Sequence, residues 1–165
     1  MERSVASSAE DHWAIAALRR AEPPDAIALR DLMQNAYGLY LPRMDRPPAP
    51  MLQDYHPVIA AGLIHVLDGE TGLDAAIVGE AQRDHMMVET VAVSRSQQGN
   101  GIGRALMAWA ERQARLRNLT VIRLYTNAVM VENIPFYQGL GYRITHRGQD
   151  QGYQRIYFEK HLPAV

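Results

Sequence analysis

The chain has 165 residues, 47% of them hydrophobic and 21% charged, with a net charge of −1 and no cysteine. That is bulk enough for one hydrophobic core, and too little net charge to favour nucleic acid or an anionic membrane. The missing cysteine excludes disulfides, thiolate metal sites and a cysteine nucleophile.

No signal-like apolar run follows Met1 and no stretch approaches the length of a membrane span, so the cytoplasm is the expected location. Residues 1–11 are small and polar and read as a loose tail; residues 12–165 read as one domain. Residues 12–20 read as a first strand. Pro23 and Pro24 suit a turn into a helix over 25–40, in which Ile27, Leu29, Leu32, Met33, Ala36 and Leu39 recur at helical spacing. Residues 41–50, rich in Pro and Arg, read as a loop. Residues 51–61 read as a second helix that Pro57 interrupts or bounds. A strand over 63–67, a polar turn over 68–72 and a strand over 73–81 form a hairpin. Gly79 in its second strand marks a bulge or a close approach.

Arg83-Asp84 turns the chain into a central strand over 85–93, whose β-branched run Val88-Glu89-Thr90-Val91-Ala92-Val93 reads as buried. Ser94 to Gln98 is a polar loop. Gly99, Gly101 and Gly103 then open a helix whose stripe is Ile102, Ala105, Leu106, Trp109 and Leu116. Asn118 ends it, since asparagine tolerates the left-handed conformation of a C-terminal cap. Residues 120–126 form a strand and 130–138 a short helix stopped by Gly139 and Gly141. Strands over 142–146 and 153–159 are joined by the polar turn 147–152.

Strand, glycine turn and helix together have the parts of an anion site, the other reading being a plain tight turn. First-turn N–H groups of a helix lack internal partners, the helix dipole adds positive charge, and glycines let backbone approach a bulky phosphate. A P-loop would need Lys-Ser/Thr after its last glycine, where Arg104-Ala105 stands. A Rossmann turn would need Gly-x-Gly-x-x-Gly and an acidic end to the next strand, which here ends at Asn127.

The pattern present is Gln98-x-x-Gly101-x-Gly103 after a Val-x-Val strand end, followed by Asn133-Ile134-Pro135-Phe136-Tyr137-Gln138-Gly139-Leu140-Gly141-Tyr142. It resembles the acetyl-CoA signature, Arg/Gln-x-x-Gly-x-Gly/Ala, and the later Tyr-x-x-x-Gly-Phe/Tyr segment of the GNAT superfamily of N-acetyltransferases. The resemblance covers roughly residues 62–160. It implies an α/β fold: a mixed, mostly antiparallel twisted sheet of about seven strands flanked by about four helices, with strands four and five splayed apart to admit a pantetheine arm. It also implies an acetyl-CoA-dependent N-acetyltransferase that moves the acetyl group to a primary amine by direct attack in a ternary complex. The alternative is a non-catalytic acyl-CoA-binding regulatory module. A small-molecule or peptide amine is the expected partner, and a homodimer is left open.

On that resemblance, Gln98, Gly99, Asn100, Gly101, Ile102, Gly103 and Arg104 hold the pyrophosphate, with Arg95 or Arg104 adding charge-assisted contacts. Val91, Ala92 and Val93 serve the pantetheine and thioester carbonyl through their backbone. Asn133 and Phe136 line the same arm, although Asn133 could instead cap its helix; many relatives carry asparagine seven positions before the tyrosine, where this chain has Met130. Tyr137 faces the sulfur: a thiol has a pKa near ~8.5 and a phenol near ~10, so a phenol can protonate or hydrogen-bond the leaving thiolate. Glu89 is the candidate base, on the face that strand alternation shares with Val91 and Val93; substrate binding is its other reading, and His85 is a weaker candidate base. Tyr37, Tyr40, Arg43 and Tyr55 fall in the region that forms the acceptor wall in relatives. The remaining histidines show no metal-ligand spacing, so no metal is expected.

Overall fold

The computed structural model describes residues 15–163. One seven-stranded sheet runs through it in the order β1-β2-β3-β4-β5-β7-β6. Its strands are β1 (Arg19–Arg20), β2 (Ile64–Asp68), β3 (Leu73–Ala81), β4 (Met86–Val93), β5 (Val121–Asn127), β6 (Arg143–Asp150) and β7 (Tyr153–His161). All neighbours are antiparallel except β4 and β5. The helices are α1 (Ala26–Tyr37), α2 (Ala49–Leu52), α3 (His56–Ala60), α4 (Ile102–Leu116) and α5 (Asn133–Gly139).

Two apolar clusters sandwich the sheet. α1 buries Leu29, Leu32, Met33, Ala36 and Tyr37 on one face, against Val66, Ala76, Val78 and Ala92. α4 and α5 cover the other, where Leu106, Met107, Ala110 and Tyr137 meet Ile77, Val88, Leu124, Ile156 and Phe158. Each helix therefore buries one stripe and wets the other. α4 ends in a Schellman cap, with Asn118 at φ 57°, Leu119 N–H on Ala114 O and Asn118 N–H on Arg115 O.

Several elements depart from the sequence reading. The expected tail and residues 12–14 lie outside the described residues. Of the first strand only Arg19–Arg20 forms, and residues 15–17 are helical; Ile15-Ala16-Ala17 carries the alanines that favour helix over strand. Ile27 and Leu116, both assigned to apolar stripes, lie at helix ends and are exposed. The second helix is two pieces, α2 and α3, because Pro57 sits in the first turn of α3 and starts it afresh. β6 runs to Asp150, into the expected turn of 147–152. Gln151 and Gly152 both take positive φ, a two-residue turn whose twist matches the flanking strands, so Asp150 still pairs with Tyr153.

The decisive irregularity lies in β4. Val78 pairs with Thr90 but Gly79 pairs with Val88, so Glu89 is an extra residue with no partner on β3. The bulge expected at Gly79 thus belongs to the strand opposite it. Pairing of β4 with β5 stops at Val88 and Leu124, while β5 stays zipped to β7 as far as Asn127 and Arg155. A bulge bends its strand and sharpens the local twist, and the C-terminal halves of β4 and β5 part beyond it.

Candidate active site

The parted strands open a cavity of about 880 Å³ that runs from the glycine turn before α4 to the loop after α1. Ser94 N–H bonds to Asp74 O, and Ala76 faces Ala92 across the ladder. Bonded and non-bonded pairs alternate in an antiparallel ladder. Val91 and Val93 therefore turn their N–H and C=O groups away from β3, into the gap that β5 has left. Both carbonyls are met there from within the chain: Tyr37 Oη donates to Val91 O at 3.0 Å and Gln98 Nε2 to Val93 O at 3.1 Å. The groups left facing the gap without a strand partner are N–H donors, so the site offers amides there more than carbonyls.

At one end lies the start of α4. Gly101 is its N-cap at φ +82° and no side chain caps the helix; Gly99 is at φ +87°. Both angles favour glycine. The first intrahelical bond is Ala105 N–H to Gly101 O, which leaves the amides of Ile102, Gly103 and Arg104 without helical partners. A Cβ on Gly103 would stand 3.3 Å from the Phe136 ring, so the glycine lets α5 close on the turn. Gln98, Gly99, Gly101, Ile102, Gly103 and Arg104 all line the cavity. Asn100 does not: its side chain turns back to Gln97 Oε1. Arg95 is also off the cavity, its N–H held by Asn35 Oδ1 of α1 at 2.8 Å.

Tyr137 lines the middle of the cavity and is otherwise enclosed by Phe136, Tyr142 and Phe158, with ring centroids 5.0, 6.1 and 5.4 Å away. Burial pushes its phenol well above the usual range. Asn133 is the first residue of α5, not its cap, and its Nδ2 donates to Thr126 Oγ1 of β5 at 2.9 Å. Met130 and Phe136 line the same wall.

Glu89 lines the cavity, but the bulge parts it from the valines. Val91 and Val93 pack with the α4-side cluster that holds Val88, a spacing of three that plain alternation forbids. Glu89 comes instead under the influence of Glu80 and Arg155. It is half-buried, and its carboxyl is pushed above the usual range by burial first and by Glu80 second, with Arg155 opposing. His85 is outside the cavity, paired with Asp84 at 2.6 Å.

The far end is walled by Tyr37 and Tyr40 of the expected acceptor set. Arg43 and Tyr55 stand behind the wall: Arg43 pairs with Glu132 and bonds to Val129 O, and Tyr55 donates to Pro50 O. Tyr125, Tyr153 and Arg155 complete the wall and were missed. For Tyr153 and Arg155 the two-residue spacing along β7 was a signal, since both fall at buried positions of that strand; Tyr125 lies on β5 and shares the wall only through strand pairing. Pro48, Ala49 and Pro50, where the chain enters α2, line this end, and the segment before them is held to the β6–β7 turn. Tyr153 Oη donates to Pro47 O at 2.6 Å, and Arg46 stacks on the Tyr153 ring and donates to Gln151 O.

The model of the acetyltransferase (GNAT) family matches residues 15–142. Similar solved structures include an acetyltransferase of that family from Desulfovibrio desulfuricans, 18% identical over 88% of this chain and 98% of that one, with a TM-score of 0.70. The PaiA N-acetyltransferase of Thermoplasma acidophilum, solved with coenzyme A, is 13% identical over 87% of this chain and 97% of its own, with a TM-score of 0.73. The ribosomal-protein-S18-alanine N-acetyltransferase of Escherichia coli is 17% identical over 90% and 94%, with a TM-score of 0.68.

Proposed function

The chain belongs to the acetyltransferase (GNAT) family, and from that premise we propose that it passes an acetyl group from acetyl-CoA to a primary amine by direct attack within a ternary complex. The cosubstrate supplies an activated acyl group as a thioester. What carries the reading is one cavity that joins three features: unpartnered amides at the start of α4, unpartnered amides on the parted half of β4, and the Tyr137 phenol.

These features fit an extended pyrophosphate thioester. The amides of Ile102, Gly103 and Arg104, with the helix dipole behind them, hold phosphate oxygens. The Val91 and Val93 N–H groups orient the pantetheine amides and donate to the acyl oxygen as it gathers charge. One well-placed donor of that kind is worth about 3–4 kcal/mol of barrier. Gln98 acts as a brace between the phosphate turn and β4 through its bond to Val93 O. Phe136 and Asn133 wall the arm.

Glu89 takes the proton from the incoming ammonium, directly or through water. Its raised pKa suits that role, because a base works best when its pKa approaches the working pH. Tyr137 remains protonated at neutral pH; it gives its proton to the departing sulfur and is reprotonated by the second proton that the nitrogen sheds as the tetrahedral adduct collapses to the amide. We read residues 12–165 as one such domain. Among the described residues no helix is long and apolar enough to cross a membrane.

The test is to incubate the protein with acetyl-CoA and a panel of amines while following free thiol. Amine-dependent thiol release supports transfer. Thermal stabilisation by CoA without any release would point to the binding-module alternative.

A further inference from the structure

We infer that the amine acceptor is a small amino-carboxylic acid whose carboxylate is bound by Arg155; the inference rests on the acetyl-transfer reading and extends it to the acceptor.

Arg155 is 7% exposed yet lines the cavity. Its guanidinium lies 4.2 Å from the Tyr125 ring centroid, a stacking that fixes the plane of the fork. Asp150, half-exposed at the end of β6, takes Nη1. Among the described residues no acceptor takes Nε or Nη2, and neither is sealed away from the cavity as an orphaned buried atom. A buried guanidinium with donors to spare calls for an anion. Carboxylate matches its fork.

Glu89 stands within electrostatic reach of that cation, on the same cavity. The acceptor end therefore presents the open Nε and Nη2 donors of Arg155, whose Nη1 is already met by Asp150, close to the Glu89 carboxylate: donors for a carboxylate beside an acceptor for an ammonium, the arrangement of a zwitterion with its two charges a few bonds apart. The segment before α2, fastened to the β6–β7 turn by Tyr153 and Arg46, brings Pro48 and the start of α2 onto the cavity and narrows the room there in favour of a small acceptor. Tyr153 lies beside Arg155, 5.8 Å from ring centroid to guanidinium, and Tyr37 and Tyr40 add ring surface to the same cavity.

The experiment compares matched acceptors with acetyl-CoA present: free amino acids, their carboxamides, the corresponding decarboxylated amines, spermidine, and a short peptide with a free N-terminus and an amidated C-terminus. The acids should exceed their carboxamides and decarboxylated amines by about 10- to 100-fold in kcat/KM, the worth of a charge-assisted bond. Arg155→Gln should raise KM for the acids with a smaller effect on kcat, and bring acid and carboxamide together. Arg155→Lys should recover part of the preference. Equal use of acid and carboxamide by the wild-type protein overturns the inference even if Arg155→Gln does not fold. So does an Arg155→Gln protein that is merely less stable and keeps the acid preference. Should no amine release thiol, the transfer reading fails, and calorimetric titration of N-acetylated amino acids against wild type and Arg155→Lys judges the carboxylate site by itself: weaker binding of acid than of amide overturns it, and acid binding that weakens in Arg155→Lys supports it.

Discussion

The hydroxyl of Tyr37 donates a 3.0 Å hydrogen bond to the carbonyl oxygen of Val91. One residue ends α1 and the other lies past the bulge of β4, so the bond ties the helix layer to the parted strand. It fixes the peptide planes next to the amides proposed for the acyl oxygen. Tyr37→Phe leaves that carbonyl without its donor and should cost about 1–3 kcal/mol of stability. Turnover should fall by about tenfold at least, with little change in CoA affinity, as read by melting temperature, calorimetry and steady-state kinetics. Unaltered turnover in a folded Tyr37→Phe protein would count against the positioning role.

Gly101 has open space where a Cβ would go, so a side chain there meets only the penalty of φ +82°. Gly101→Val should strain the turn by about 1–2 kcal/mol and weaken CoA binding by about tenfold or more. Calorimetry with CoA checks this. Gly103→Ala should act differently, by pressing on Phe136 at 3.3 Å and not by backbone strain.

Tyr137→Phe should lower kcat by about 10²-fold, the low end for proton transfer, while acetyl-CoA KM changes little. The ring stays to fill its place beside Phe158, so the melting temperature should hold. Full turnover in Tyr137→Phe would refute the acid role.

Glu89 must be ionised to accept a proton. Its pKa is raised, so kcat/KM should decline as pH drops through a value above the ordinary ~4.3. Glu89→Gln should lower the rate and erase that limb from the pH profile. A limb that survives in Glu89→Gln would belong to the amine substrate or to another group.

Asp25 and Asp68 are both held below the usual carboxylate range, chiefly by hydrogen bonds from Arg19. A depressed carboxylate stabilises the fold above the unfolded pKa of ~3.9, and that stability drains away as pH falls through the lower folded value. Arg19→Ala should cost about 1 kcal/mol at neutral pH, a modest figure because Arg19 and Asp68 are partly exposed and screened. The gap between wild-type and variant melting temperatures should close as pH falls through those depressed values.

The sheet, the glycine turn before α4 and the place of Tyr137 beside the cavity were legible because each rests on a local rule: alternation, glycine at positive φ, or spacing from a motif. The placement of Glu89 was not. Alternation put it beside Val91 and Val93, and a one-residue bulge, set by pairing with β3, turned it toward Arg155. The acceptor wall was only half legible for a similar reason. Tyr37 and Tyr40 fall in the stretch that the family resemblance assigned to the wall, but Tyr125 and Arg155 come together only when β5 pairs with β7. The early strand at residues 12–20 misled through its apolar content, which alanine supplies without favouring strand.

The unpartnered residue in β4 also bears on how such a site can change. Side chains along β4 can be exchanged while the slot survives, because what faces the slot at Val91 and Val93 is main chain. Deleting one residue there would restore an unbroken pleat and let β4 run alongside β5 to its end. The opening is thus encoded by a count of residues more than by their kinds, and a drift in length at this point would erase it sooner than a drift in composition.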